Sequence, residues 1–155
     1  MIIDQNASIG PLNGFCTSKR GGSNVIESEG GPAVLIVDQD LGFVFWLGEI
    51  LIEAGCSVVP ALDCTEAVSI TEKLDLTVDV VIMDPGLPWV QHVLSTLTRT
   101  GRTLKIVAIS DDKVDAIWPI HADAILKRPI ASRYLSRQEM LEQVQEILRE
   151  IQIID

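Results

Sequence analysis

The chain has 155 residues, with 12 Lys and Arg against 22 Asp and Glu, a formal net charge of −10. That length suits one domain around one core. The acidity argues against nucleic acid as a partner, because phosphate binding needs a basic surface to release counterions, and equally against docking on an anionic membrane by charge.

Apolar residues make up 47% of the chain and charged residues 22%, so a core can form and the chain is not disordered as a whole. The most apolar stretch, 41–52, contains Glu49 and is shorter than the ~20 residues a membrane span needs. Asp4, Gln5 and Asn6 interrupt any leader-like apolar run. Cys16, Cys56 and Cys64 form no CxxC pair and have no His neighbour, which predicts free thiols and a reducing cytoplasm.

Residues 1–31 hold six of the eleven glycines and no periodic apolar pattern, and are expected to be a flexible extension. The domain is expected over 32–155, where nine of the ten net negative charges lie. Residues 33–37 form a short apolar run, the signature of a strand buried on both faces. A helix over 41–54 follows, ending at Gly55, a residue suited to a left-handed cap. A second strand is expected over 56–61, then a helix capped by Asp63 or Thr65 and running through Leu74. A third strand spans 78–83, a helix 90–98 and a fourth strand 104–109. Residues 113–117 predict a short helix stopped by Pro119, and 124–126 a fifth strand. The last helix opens on the capping box Ser136-Arg137-Gln138-Glu139 and carries Leu141, Val144, Ile147, Leu148 and Ile151 on its apolar face.

Five strand–helix pairs with apolar strands predict an α/β fold, a doubly wound five-stranded parallel sheet with helices on both faces. Ligands bind such sheets at the carboxyl ends of the strands. The residues there are Asp38, Gln39 and Asp40 after the first strand, Asp84 after the third, Ser110 after the fourth, and Lys127 and Arg128 after the fifth. Carboxylates, a hydroxyl and a cation at neighbouring strand ends suit magnesium and a phosphoryl group, with one carboxylate as nucleophile.

The motifs on these strands resemble the response-regulator receiver domain, the phosphoacceptor module of two-component signalling, with its flavodoxin-like (CheY-like) fold. Val34-Leu35-Ile36-Val37-Asp38 is similar to that family's first strand and leading acid, and Val80 to Pro88, with Asp84-Pro85-Gly86-Leu87-Pro88, to its acceptor strand. Residues 106–110 match the strand ending in Ser or Thr, and 122–130 the final strand with its basic residue and proline. The resemblance implies that Asp84 accepts a phosphoryl group from a histidine kinase or histidine phosphotransfer protein. It implies that Asp38, Asp84 and the Gly86 carbonyl hold Mg2+, that Ser110 contacts the phosphoryl oxygens, and that Lys127 and Arg128 stand near the basic position. A downstream target protein and a homodimer are further implied partners.

Four positions depart from the family's pattern. Gln39 replaces the second acid and offers magnesium a neutral oxygen, while Asp40 should turn towards the helix start. Arg128 stands in the lysine position, and a planar guanidinium is no simple substitute for an ammonium. Asp111 and Asp112 stand where a small residue is usual and would repel a phosphoryl group. Ile125 occupies the aromatic switch position. Two outcomes follow: a stand-alone receiver phosphorylated on Asp84 with weak magnesium binding, or a phosphorylation-independent pseudo-receiver adaptor.

A rival reading takes Asp38 and Asp40 as the nucleophile motif of a haloacid-dehalogenase-like phosphatase, with Ser110 and Lys127 in support. It leaves the segment from Asp84 to Pro88 without a role. The helix over 41–54 places Val44, Leu47, Gly48 and Leu51 inward, leaving Phe43, Trp46 and Ile50 as a second stripe. That stripe is either a partner surface or is covered by the extension or the last helix. His92 and His121 lack ligand spacing and are expected at the surface.

Overall fold

The computed structural model describes residues 31–100, 103–111, 121–129 and 135–154. Strands β1 (Ala33–Val37), β2 (Ser57–Ala61), β3 (Val80–Met83), β4 (Lys105–Ser110) and β5 (Ala124–Lys127) form one parallel sheet in the order β2-β1-β3-β4-β5. Between them run α1 (Leu41–Glu53), α2 (Cys64–Leu74) and α3 (Val90–Leu97), and α4 (Arg137–Glu150) closes the domain. The doubly wound parallel α/β fold expected from the apolar runs, flavodoxin-like as the resemblance implies, is the fold observed. The helix expected over 113–117 and the extension expected over 1–31, apart from Gly31, lie outside the described residues.

Local chemistry sets the helix ends. The Asp40 carboxylate accepts the Phe43 N–H at 3.1 Å and so caps α1, as the sequence suggests. Gly55, at φ +97°, turns the chain just after α1 in a conformation that favours glycine. Of the two candidates for the α2 cap it is Asp63 that serves, accepting the Glu66 N–H at 2.7 Å. Ser136 and Glu139 form the reciprocal capping box of α4.

The two-residue period of the strands divides the core. Val34, Ile36, Val80, Ile82, Val107, Ile109 and Leu126 face α1 and α4. Leu35, Val37, Val59, Val81 and Met83 face α2 and α3. At the amino ends of the strands, Asp79 accepts the Ala33 N–H at 2.9 Å and Asp123 accepts the Ile106 N–H at 2.8 Å. These acids close exposed backbone groups at the end of the sheet opposite the candidate site.

One surface expectation is corrected. Ile50 is fully buried, Phe43 is buried and Trp46 is half-buried against the same core, because α4 packs on this side of α1 and adds Met140, Leu141, Val144 and Leu148. Phe43, Trp46 and Ile50 are therefore core and core margin, not a free partner surface. The apolar side chains that α1 leaves to solvent are Leu41 and Phe45, the latter 58% exposed. His92 and His121 are exposed, as expected.

Candidate functional site

In the order β2-β1-β3, the chain leaves β1 towards one side of the sheet and later returns to build the other side. The carboxyl ends of β1 and β3 thus flank the switch in strand order, where open α/β sheets form a crevice. Val37 pairs with Met83, so Asp38 and Asp84 follow neighbouring residues in register. The Asp84 N–H donates to the Val37 carbonyl at 3.1 Å, and the Asp38 N–H to the Ala61 carbonyl at 3.1 Å. Across the sheet Ser110 pairs with Lys127, and the Arg128 N–H donates to the Ser110 carbonyl at 2.8 Å. Four strand ends therefore carry the predicted residues to one edge of the sheet.

Asp38 is only 1% exposed, so its charge requires partners. Arg128 supplies them by a two-point contact, Nη1 to Asp38 Oδ1 at 3.0 Å and Nη2 to Oδ2 at 2.5 Å. Asp38 Oδ1 also accepts the Asp40 N–H at 2.8 Å. The remaining guanidinium edge, Nε, donates to Asp111 Oδ1 at 2.5 Å, and Asp40 Oδ2 lies 3.8 Å from Nη1. Arg128 also stands over the Phe43 ring, its guanidinium carbon 4.8 Å from the centroid, in cation–π geometry. Burial on its own would lower the Arg128 pKa; the hydrogen bonds and charges of Asp38 and Asp111 outweigh it and raise the pKa above its ordinary value.

Asp84 is set differently. It is half-buried, and among the described residues its carboxylate has no ion-pair partner. Its Oδ1 accepts the Gly86 N–H at 2.9 Å. A Cβ at Gly86 would stand 3.3 Å from that oxygen, so the close turn after Asp84 favours glycine. Cys64 lies near enough that burial first, then the charges of Asp63 and Asp84, push its thiol pKa up.

Two expectations change on this geometry. Arg128, expected beside the phosphoryl group, is engaged by Asp38 and Asp111. Asp111, expected to repel a phosphoryl group, has its charge matched by Arg128; Asp112 lies outside the described residues. Gln39, Lys127 and Ile125 are exposed, and Ser110 is half-buried at the end of β4. The phosphatase reading loses support too, since Asp38 is held at both oxygens and Asp40 is the α1 cap.

The donors do not fit magnesium. That ion needs an octahedral shell of oxygens at about 2.0–2.1 Å. Both Asp38 oxygens already accept from Arg128, and no group of three His, Cys, Asp or Glu among the described residues is placed to hold a metal.

Sequence reasoning missed two features. Phe43 supports Arg128, a contact between residues so far apart in the chain that no local signal marks it. Trp89, at the start of α3 and 70% exposed, adopts a left-handed backbone at φ 71°. No Gly or Asn marks that position, so the sequence carries no sign of it.

The fold is that of response-regulator receiver domains. A chemotaxis response regulator of Vibrio cholerae aligns with a TM-score of 0.57 at 20% identity, over 76% of this chain and 99% of that one. A CheY-like receiver domain from Methylobacillus flagellatus aligns at 0.56 and 22%, over 76% and 98%. The receiver domain of a sensor histidine kinase from Pseudomonas aeruginosa, described with magnesium in its active-site cleft, aligns at 0.56 and 19%, over 78% and 98%. No protein-family model and no curated protein matches the sequence. Among the described residues, no helix is long and apolar enough to cross a membrane.

Proposed function

We propose that this chain is a signalling module of receiver type that acts as a protein-binding adaptor, without phosphoryl transfer through Asp84. Arg128 carries the reading. A receiver's chemistry requires a cation to be exchanged with the medium and a basic group directed at the phosphoryl oxygens. Here the guanidinium holds the buried Asp38 at two points and Asp111 at a third. Asp84 follows β3, where the resemblance expects an acceptor, but among the described residues no vacant pair of carboxylates stands beside it for magnesium. The partners proposed are proteins of the two-component system, a histidine kinase or phosphotransfer protein and a downstream target, met in the cytoplasm. Binding to them is read from the surface of one fixed state.

Intact-mass measurement after incubation with acetyl phosphate and magnesium tests this, comparing the wild type with Asp84→Asn. An unchanged mass for both is expected. A gain of one phosphoryl group by the wild type, absent in Asp84→Asn, would instead establish the second reading, a working phosphoacceptor. That the Asp84 carboxylate has no ion-pair partner among the described residues is the observation that favours that alternative.

A further inference from the structure

We infer that the Arg128 guanidinium is the resident cation of this acidic crevice, a covalently attached replacement for a divalent ion, and that its presence excludes magnesium and manganese from the protein. Three acids, Asp38, Asp40 and Asp111, stand within 4 Å of it, two of them in direct hydrogen bonds. Asp38 is almost wholly buried, and a charged carboxylate so placed is costly without a paired cation. In a metal-dependent crevice that cation comes and goes with the medium. Here it is anchored through the chain, because the Arg128 backbone N–H is tied to the Ser110 carbonyl and Phe43 supports the guanidinium face.

The exclusion is geometric as well as electrostatic. Asp38 Oδ1 accepts two N–H groups and Oδ2 accepts one, so a metal could take Asp38 only by displacing the guanidinium. A hydrated magnesium ion sheds water reluctantly and gains little from a carboxylate already paired. The cation state of the crevice is then constant, whatever the ambient magnesium. This inference shares with the proposed function the location of the site but concerns metal binding alone.

Thermal unfolding of the full chain with magnesium chloride or manganese chloride, at constant ionic strength, tests it. The wild type is expected to show a flat Tm with either salt. Arg128→Gln is expected to gain a Tm rise that saturates at millimolar metal, and Arg128→Gln with Asp38→Asn to lose that rise. Arg128→Met, likewise without a cation, serves as a second variant, and a variant that folds only when metal is added supports the inference equally. If neither folds under any condition, manganese binding to the wild type, read by water proton relaxation, decides: none supports the inference and saturable binding overturns it. A saturable Tm rise in the wild type, or folded variants as indifferent to metal as the wild type, also overturns it. Metal binding by the wild type without phosphoryl gain defeats this inference and leaves the adaptor reading in place; phosphoryl gain without a metal-linked Tm shift does the reverse.

Discussion

Arg128 and Asp38, ninety positions apart in the chain, meet in a two-point ion pair that joins the end of β5 to the end of β1. The Asp38 side chain is 2% exposed and that of Arg128 15%, so water does little to screen the pair. Removing one partner from such a pair leaves a buried charge unmatched, which costs about 3–5 kcal/mol. Arg128→Gln should therefore lower the free energy of unfolding by about 3 kcal/mol in metal-free buffer, and Asp38→Asn in the same background should recover part of the loss. Urea unfolding of the two single variants and the double variant measures the coupling. An additive double variant would show that the pair does not act as a unit.

The pH dependence of that pair has a definite sign. The folded pKa of Arg128 is raised above its ordinary value, so the stability it contributes is complete below that ordinary value and is lost only as pH rises through the folded pKa. The difference in unfolding free energy between the wild type and Arg128→Lys should thus show no titration of the arginine between neutral and mildly alkaline pH. A loss of wild-type stability in that range that Arg128→Lys does not share would contradict the assignment.

Trp89 holds a left-handed backbone with its ring largely in solvent. A bulky residue in that region costs roughly 1–2 kcal/mol, and an exposed ring returns little of it. Trp89→Gly should raise stability by about 1 kcal/mol in urea unfolding. Destabilisation by that amount would mean that the ring makes contacts that outweigh the strain.

The Ser136–Glu139 capping box should be visible in acid. Glu139 has its pKa lowered from 4.5, first by the Ser136 backbone hydrogen bond and then by its side chain. A lowered folded pKa stabilises above the unfolded value, and the contribution disappears as pH falls through the folded one. The urea midpoints of the wild type and Glu139→Gln should differ at neutral pH and converge well below pH 4.5. Ser136→Ala should cost about 1 kcal/mol at neutral pH.

Cys56 and Cys64 are buried free thiols, and burial pushes the Cys56 pKa up to about 11. The thiolate is the reactive form. Peptide mapping after alkylation of the native protein at mildly alkaline pH should find both unmodified, and denaturant should expose them. Native labelling of Cys64 would show that the start of α2 opens.

The fold was legible in the sequence because its signals are local. Apolar runs such as Val34 to Val37, the caps at Asp40 and Ser136, and Gly55 each act within one or two turns of chain. The strand-end residues were legible for the same reason, since Asp38, Asp84, Ser110 and Arg128 each directly follow or end a strand. Their pairing was not. Whether Arg128 turns to a phosphoryl group or to Asp38 is decided by the sheet order, which sets the carboxyl ends of β1 and β5 on one edge within reach of a single long side chain, and the same guanidinium turns Asp111 from a repelling charge to a matched one. The stripe of Phe43, Trp46 and Ile50 was equally ambiguous on its own helix, and the packing of α4 decided it.

The central claim is that the guanidinium of Arg128 stays on Asp38 and Asp111 whatever the medium supplies. The arginine Nε–Hε resonance of Arg128, assigned by comparison with Arg128→Lys, reports directly on the bond to Asp111. With magnesium and acetyl phosphate added together, it should keep its shift and its protection from solvent exchange. A saturable shift, or loss of that protection, would contradict the claim and show a crevice that opens to take a metal and a phosphoryl group.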